Sequence, residues 1–349
     1  MTAELTYVRV GSFSGSGTSL RKALAEKVSV IDYDLLALAR EPRLLPARLK
    51  AFVEARRAGG VPWLKTRAWS VATQRALESD GLHGRPIVFA QSLPAFVMDP
   101  TITYVVYTDR VAREAMPGTP FALGFSPGWL EREEAFLRGA HRIYLMGPST
   151  GAVLEQQYGI PANKIVVVGA GPNMSLGQPV ASASCRTLLF VGIEWERKGG
   201  PDLLRAFAQL HAEFPHLELL VVGCRPPGPL PKGVHVLGRV PHAQMETLYS
   251  RADALVLPSH LDAVPIALIE ALIKGIPCIG TTAGNNMGWL IGDAGEIITP
   301  GRVDALADAL RRIVANYGSY RERALARGAY MREHFRWGTI ASRILEDIT

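Results

Sequence analysis

The chain has 349 residues, 48% of them hydrophobic and 20% charged, with 34 glycines and a formal net charge of +6. That length exceeds one ordinary core and that composition excludes disorder, so two α/β domains are expected; no apolar run is long enough for a membrane span. No secretory leader is read at the start, and Cys185, Cys224 and Cys278 are odd in number without a C-x-x-C pair. Disulfides and structural zinc are therefore not expected, and the location expected is the cytoplasm, free or peripheral at the inner face of the membrane.

Short apolar or β-branched runs alternate with helical patterns throughout, as in parallel sheets joined by crossover helices. A strand over 6–10 leads through Gly11-Ser12-Phe13-Ser14-Gly15-Ser16-Gly17-Thr18 into a helix over 19–27. Backbone amides approach phosphates closely in such a setting. The loop has neither the Walker lysine nor G-x-G-x-x-G spacing, so it reads either as a phosphate contact through Gly15 and Gly17 or as a plain connection. Beyond a strand over 28–31, Asp32 and Asp34 form an Asp-x-Asp that reads as a strand-end cap before a metal site.

Helices are expected over 46–57 and 66–79. Across them run Arg40, Arg43, Arg48, Lys50, Arg56, Arg57, Lys65 and Arg67, opposed only by Glu41 and Glu54. Such a stretch can lie on an anionic membrane, with Trp63 and Trp69 as interfacial anchors, or grip an acidic acceptor; a solvated helix face is the plainer reading. No nucleic-acid motif accompanies the charge, so nucleic acid is not an expected partner. Strands follow over 87–89, 103–107, 142–146 and 164–168, with helices over 129–139 and 149–158. Asp109 ends the run Tyr104-Val105-Val106-Tyr107-Thr108, at the carboxyl end of its strand.

A Gly-, Pro-, Ser- and Ala-rich segment over 171–184 lacks periodicity and reads as a linker. The boundaries drawn are a first domain over 1–173, a hinge over 174–184 and a second domain over 185–337. The second half shows strands over 187–191, 218–222, 234–237, 254–257, 277–280 and 296–298. Its helices are expected over 201–213, 243–250, 265–274, 303–316 and 320–333.

Residues 258–277 say most. Pro265 suits a first helical turn, and Gly275 with Pro277 closes the helix. Within it only Glu270 and Lys274 are polar, and a helix apolar on nearly every side is buried, so Glu270 must be paired or bound to something. One reading is an i,i+4 pair with Lys274; the other is a ligand that Glu270 shares with Asp262, eight residues earlier. Arg197 and Lys198 lie between a Gly192 turn and a helix start, where cations and amides together suit an anion. The 8 histidines form no metal-spaced set, and only His260 stands beside these residues.

This constellation resembles glycosyltransferase family 4, retaining nucleotide-sugar transferases of the B-type, two-Rossmann fold, whose signature is E-x7-E. Asp262 stands for the first Glu and Glu270 for the second. Phe190-Val191-Gly192-Ile193-Glu194-Trp195-Glu196-Arg197-Lys198-Gly199-Gly200 is similar to the family's strand, Gly turn and Lys-Gly element, with Ile193 where an Arg is frequent. Leu237-Gly238-Arg239-Val240-Pro241, Tyr249-Ser250-Arg251-Ala252-Asp253 and Phe335-Arg336-Trp337 extend the likeness, which is good over 140–349 and loose before it.

The resemblance implies two Rossmann-like domains facing across a cleft, an acceptor-side domain first, with 338–349 forming a helix that crosses back to it. It implies metal-independent transfer of a hexosyl group from a UDP- or GDP-linked sugar to an acceptor hydroxyl, with no cofactor. Glu270 would bind ribose hydroxyls, Asp262 and Asp109 the hexose, Lys198 with Arg197 the β-phosphate, and Arg239 and Val240 the base. Ile266 would be a further donor contact, and Asp109, Lys198 and Asp262 are the expected catalytic residues; taken with the cations of the second domain, the loop of Gly15 and Gly17 reads as a lid over the diphosphate or an acceptor contact. The acceptor stays open among glycan, lipid-linked and small-molecule classes. A sugar-nucleotide epimerase of the same fold and a non-catalytic sugar-nucleotide-binding relative are the alternatives.

Overall fold

In the computed structural model, which describes residues 4–81, 84–114 and 124–348, the chain divides into two compact units. One comprises Met1–Ala170 with Trp337–Thr349, the other Gly171–Arg336. Each is built on a six-stranded sheet whose neighbouring strands all pair in parallel.

The first unit runs β1 (Glu4–Arg9), α1 (Ser16–Ala25), β2 (Ser29–Asp34), α2 (Leu35–Leu38), α3 (Leu45–Arg57), α4 (Arg67–Ser79), β3 (Ile87–Ala90), β4 (Tyr104–Thr108), α5 (Pro127–Gly139), β5 (Arg142–Leu145), α6 (Ser149–Tyr158) and β6 (Ile165–Val167). Its strand order is β2-β1-β3-β4-β5-β6. β3 and β4 are buried at every residue, which is why they read as unbroken apolar runs. Phe89 centres the core, with Phe136, Phe96 and Tyr104 edge-on at 4.9, 5.6 and 5.8 Å.

Three local outcomes depart from or decide the sequence reading. α1 begins three residues early, at Ser16, because Gly15 takes a φ of 87° as its N-cap and turns the chain straight into the helix. The Asp-x-Asp is a clamp and cap: Arg9 bridges Asp32 and Asp34 at 2.9 and 2.8 Å, and Asp34 accepts the Leu36 amide at 3.0 Å. Trp69, expected as an interfacial anchor, is 3% exposed, and Trp63 packs edge-on to it at 4.7 Å. The α4 face that carries Trp69 is a core face, so burial of its large apolar area wins over any surface role.

The second unit runs β7 (Thr187–Val191), α7 (Gly200–Glu213), β8 (Glu218–Val222), β9 (Val234–Gly238), α8 (His242–Arg251), β10 (Ala254–Val256), α9 (Ile266–Ile273), β11 (Cys278–Thr281), α10 (Met287–Ile291), β12 (Gly295–Ile298), α11 (Val303–Ala315) and α12 (Tyr317–His334). The strand order β12-β11-β10-β7-β8-β9 is the 3-2-1-4-5-6 order of a Rossmann sheet, reversing between β7 and β10. α2 and α10 are too short to show a helical period and have no counterpart in the sequence reading. The orphan carbonyls at the end of α9 are met from α12, Arg321 donating to Lys274 at 3.3 Å and also to Gly275, and Arg332 to Ile273.

The segment over 174–184 lies in the second unit and is held there. Lys274 donates to the Gln178 carbonyl at 2.7 Å, Arg321 to Val180 at 2.6 Å, and Ser182 to the Asp253 carboxylate at 2.6 Å. Its composition lacks periodicity because side chains of other elements satisfy its backbone.

The last helix, α13 (Trp337–Glu346), belongs to the first unit and packs against α1, burying Ile340, Ala341, Ile344 and Leu345. Truncating a fully buried isoleucine leaves a cavity and costs roughly 2–5 kcal/mol. Ile344→Ala should therefore lower the denaturation midpoint and speed amide exchange in α1, leaving exchange in β7–β12 unchanged. Unaltered protection in α1 would show that α13 does not stabilise this unit.

Candidate functional site

In the second unit the loops leaving β7 and β10, on either side of the order reversal, meet at the carboxyl ends of their strands, where open α/β sheets bind ligands. Lys198, from the first loop, pairs with the Asp262 carboxylate of the second, and Ser259 donates to the same oxygen at 3.4 Å. Arg197 is held differently. It pairs with Glu194 and donates to the Leu261 carbonyl at 2.5 Å, so its guanidinium braces one loop on the other. His260 bonds Asp202 at 2.8 Å, close to the start of α7.

Two glycines permit this approach. Gly199 has a φ of 74° and a side chain there would stand 2.0 Å from the Pro258 carbonyl; Gly284, also at 74°, would meet the Asp262 carbonyl at 2.0 Å. Thr281 donates to Ser259 O at 2.8 Å and Asn286 to Ala263 O at 3.0 Å, fixing the Asp262 loop from beneath.

Glu270, on α9, is 4% exposed. Its two oxygens accept the Tyr249 hydroxyl at 2.8 Å and the Asn173 amide at 3.0 Å. Burial raises its carboxyl above the ordinary glutamate range, against the opposing pull of these two bonds and of His242. Lys274 is not its partner. The ammonium turns to Glu246 at 2.8 Å and to the Gly177 and Gln178 carbonyls, so the i,i+4 reading is replaced by a pairing across elements. Since a carboxylate oxygen accepts two hydrogen bonds, Glu270 keeps acceptor capacity beyond its protein partners.

Ile266 opens α9 and is buried. Arg239 is exposed and Val240 half-buried, after the edge strand β9. Two strand spacings separate the ends of β9 and β7, about 10 Å. Gly15, Gly17 and Asp109 lie in the first unit, Gly17 accepting the Tyr7 hydroxyl at 2.8 Å within α1. Sequence reasoning missed Ser259, Tyr249, Asn173 and Asn286. Only Ser259, three residues from Asp262, carried a local signal. Among the described residues, no group of three His, Cys, Asp or Glu side chains gathers as metal ligands would.

Residues 185–316 match the family of glycosyl transferases group 1. Glycogen synthase of Mycobacterium tuberculosis is 24% identical over 300 residues, spanning 79% of this chain and 70% of that protein. A D-inositol 3-phosphate glycosyltransferase of Rhodococcus jostii is 30% identical over 223 residues, 55% of this chain and 49% of the relative. Among solved structures, sucrose-phosphate synthase from Thermosynechococcus elongatus superposes with a TM-score of 0.73 at 18% identity, covering 99% of this chain and 98% of that one. Anabaena HepE in complex with UDP-glucose gives 0.69 at 15% identity and 98% of each chain. The architecture is therefore the GT-B glycosyltransferase fold. The family match over the second unit and the relatives support a glycosyltransferase of group 1.

The raised carboxyl of Glu270 has a signed consequence. The native state keeps a proton that the unfolded chain has lost, so stability falls as pH rises through the ordinary glutamate value and levels off above the raised one. Gln is neutral throughout. The stability of Glu270→Gln relative to wild type should climb with pH across that window. Urea midpoints from pH 4 to 7 read this directly, and parallel profiles for the two proteins would refute the buried-carboxyl account.

Proposed function

We propose that the protein is a retaining glycosyltransferase that moves a hexosyl group from a nucleoside-diphosphate sugar to an acceptor hydroxyl without a metal ion. The observation that carries this reading is the meeting of Lys198 and Asp262 at the order reversal of the second sheet. The carboxylate of Glu270 lies one helix further on. Structures of this fold with UDP or UDP-glucose bound, as in Anabaena HepE, support a nucleotide sugar as donor.

In the proposed reaction the bond from the anomeric carbon to the β-phosphate oxygen breaks, and negative charge accumulates on the leaving diphosphate. Lys198 exchanges part of its pairing with Asp262 for that charge, assisted by amides at the start of α7. Arg197, braced on Glu194 and Leu261, keeps the loop in place beside it. Asp262, released from full pairing, accepts hydroxyls of the hexose, and Glu270 accepts ribose hydroxyls with the lone pairs left over from Tyr249 and Asn173. The acceptor hydroxyl enters from the face the diphosphate leaves, and its proton passes to the leaving phosphate oxygen, so no side chain acts as a strong base.

Because the charge facing Lys198 grows toward the transition state, Lys198→Ala should lower kcat at least as strongly as it raises the donor KM. Nucleotide release from a panel of UDP and GDP sugars provides the assay. A folded variant with normal turnover would sink the assignment and with it the proposed role of the pair.

The reading extends to a peripheral membrane contact through α3. Leu45, Leu49, Phe52 and Val53 are exposed at 45, 59, 47 and 51%, at a spacing that places them on one stripe beside Lys50, Arg56 and Arg57. Anionic vesicles should sediment the protein at 0.1 M salt and release it at 1 M, where the Debye length shrinks from about 10 to about 3 Å. Leu49→Ser with Phe52→Ser should weaken sedimentation. Protein that stays in the supernatant with anionic vesicles at low salt would rule the contact out.

A further inference from the structure

The first unit contains a cavity of about 190 Å³ that the chemistry above does not use. It opens at the carboxyl ends of β3 and β4 and is lined by Lys65, Gln91, Asp109, Arg110, Trp129 and Glu133, among others. Lys65 reaches it from a single 3₁₀ turn, Trp63–Lys65, ahead of α4. Of the eight basic residues between 40 and 67, Lys65 is the one that lines this cavity.

The polar groups of this wall are unevenly satisfied. Glu133 is complete: it accepts from Ser92 at 2.6 Å, from the Tyr158 hydroxyl at 2.5 Å and from the Ala112 amide at 3.1 and 3.2 Å. Lys65 has no hydrogen bond or ion pair among the described residues; its ammonium rests over the Phe125 ring at 4.3 Å. The Arg110 guanidinium likewise has neither. Burial, and then the like charge of Arg110, bring the Lys65 ammonium down to about 8, with Glu133 opposing. Trp129 Nε1 and Gln91 Oε1 are buried and, among the described residues, without a hydrogen-bond partner, and Gln91 holds a φ of 95°, in the left-handed region that side chains rarely adopt.

Each unsatisfied group specifies something about an occupant. Two neighbouring cations that make no ion pair among the described residues, on a wall whose Glu133 carboxyl is taken up by other bonds, suit an anion. An indole N–H only donates, so it requires an acceptor atom; a carboxamide oxygen only accepts, so it requires a donor such as a hydroxyl. The volume falls below that of pockets for drug-sized ligands, about 300–1,000 Å³, and suits a small molecule or one end of a larger one.

We propose that this cavity binds a sugar or polyol bearing an anionic group, phosphate or carboxylate, with Lys65 and Arg110 on the anion and Trp129 and Gln91 on its neighbouring oxygens. In the transferase reading, on which this role rests, that ligand is the acceptor.

Calorimetric titration of the full chain at pH 7 with glucose 6-phosphate, glucuronate, glucose and inorganic phosphate tests the site without requiring turnover. Glucose 6-phosphate or glucuronate should bind at least tenfold more tightly than glucose, and the stronger of the two identifies the anion. Lys65→Met and Arg110→Gln should each weaken that binding at least tenfold. Trp129→Phe, which removes only the N–H donor and its ring, should weaken it severalfold. Thermal melts establish that each variant is folded, and the half-exposed Arg110 supplies the test if Lys65→Met fails to fold. Glucose binding as tightly as its phosphate, unchanged affinity in folded Arg110→Gln, or no heat from any of the four ligands would overturn the proposal. Binding without stimulated nucleotide release from any donor would support the site and remove its acceptor role. Nucleotide release with no anionic-ligand binding would sustain the transferase reading and overturn the cavity assignment.

Discussion

The second unit depends on a close backbone contact that only glycine allows. Gly199 lies against the Pro258 carbonyl and Gly284 against that of Asp262, each at a separation where a methyl group would stand 2.0 Å from oxygen. This contact compresses the loops after β7 and β10 into one surface. The two strands are neighbours at the order reversal, the place where open α/β sheets bind ligands. The cation of one loop and the carboxylate of the other then fall within ion-pair distance.

Charge burial around α9 follows from the same compactness. An unpaired carboxylate or ammonium withdrawn from water is expensive, and here neither Glu270 nor Lys274 is unpaired. Glu270 is divided between Tyr249 and Asn173, and Lys274 between Glu246 and two carbonyls. Both networks reach the segment after residue 171. The irregular chain there is ordered by the polar residues of a helix that is otherwise a core element, so the proposed donor contact of Glu270 and the stability of this segment share side chains.

The first unit shows the same parallel architecture with a different distribution of charge. At the end of β1, Arg9 bonds both aspartates of the Asp-x-Asp pair and Arg21 approaches Asp32 at 3.6 Å, so two cations meet two carboxylates. Beyond β3 and β4 the cations Lys65 and Arg110 have no such partner among the described residues. The exposed apolar stripe of α3 adds a third character, amphipathic and basic, on the same unit.

Elements with a strong period were legible. All twelve strands among the described residues were anticipated, and those buried at every residue, such as β3, β4 and β11, read as continuous apolar runs. α2 and α10, with four and five residues, offer no period to detect. At the site, Lys198, Asp262 and Glu270 stood out because each is a charge inside an apolar or glycine-rich frame. Tyr249 and Asn173 did not, since a tyrosine in an amphipathic helix and an asparagine in a Gly-Pro-Asn stretch are ordinary there.

By itself the sequence determined the alternation of strands and helices and the requirement that Glu270 have a partner. These are local properties, written in spacing and residue type. Tertiary structure alone decided which partners were chosen: Asn173 for Glu270 across 97 residues, Glu246 for Lys274 across 28, and the inward turn of Trp69 and Lys65 from a stretch that reads as surface. The physical reason is that burial and charge pairing are settled between segments distant in the chain, where an i,i+4 neighbour worth a few tenths of a kcal/mol is outweighed by any arrangement that leaves no buried charge alone.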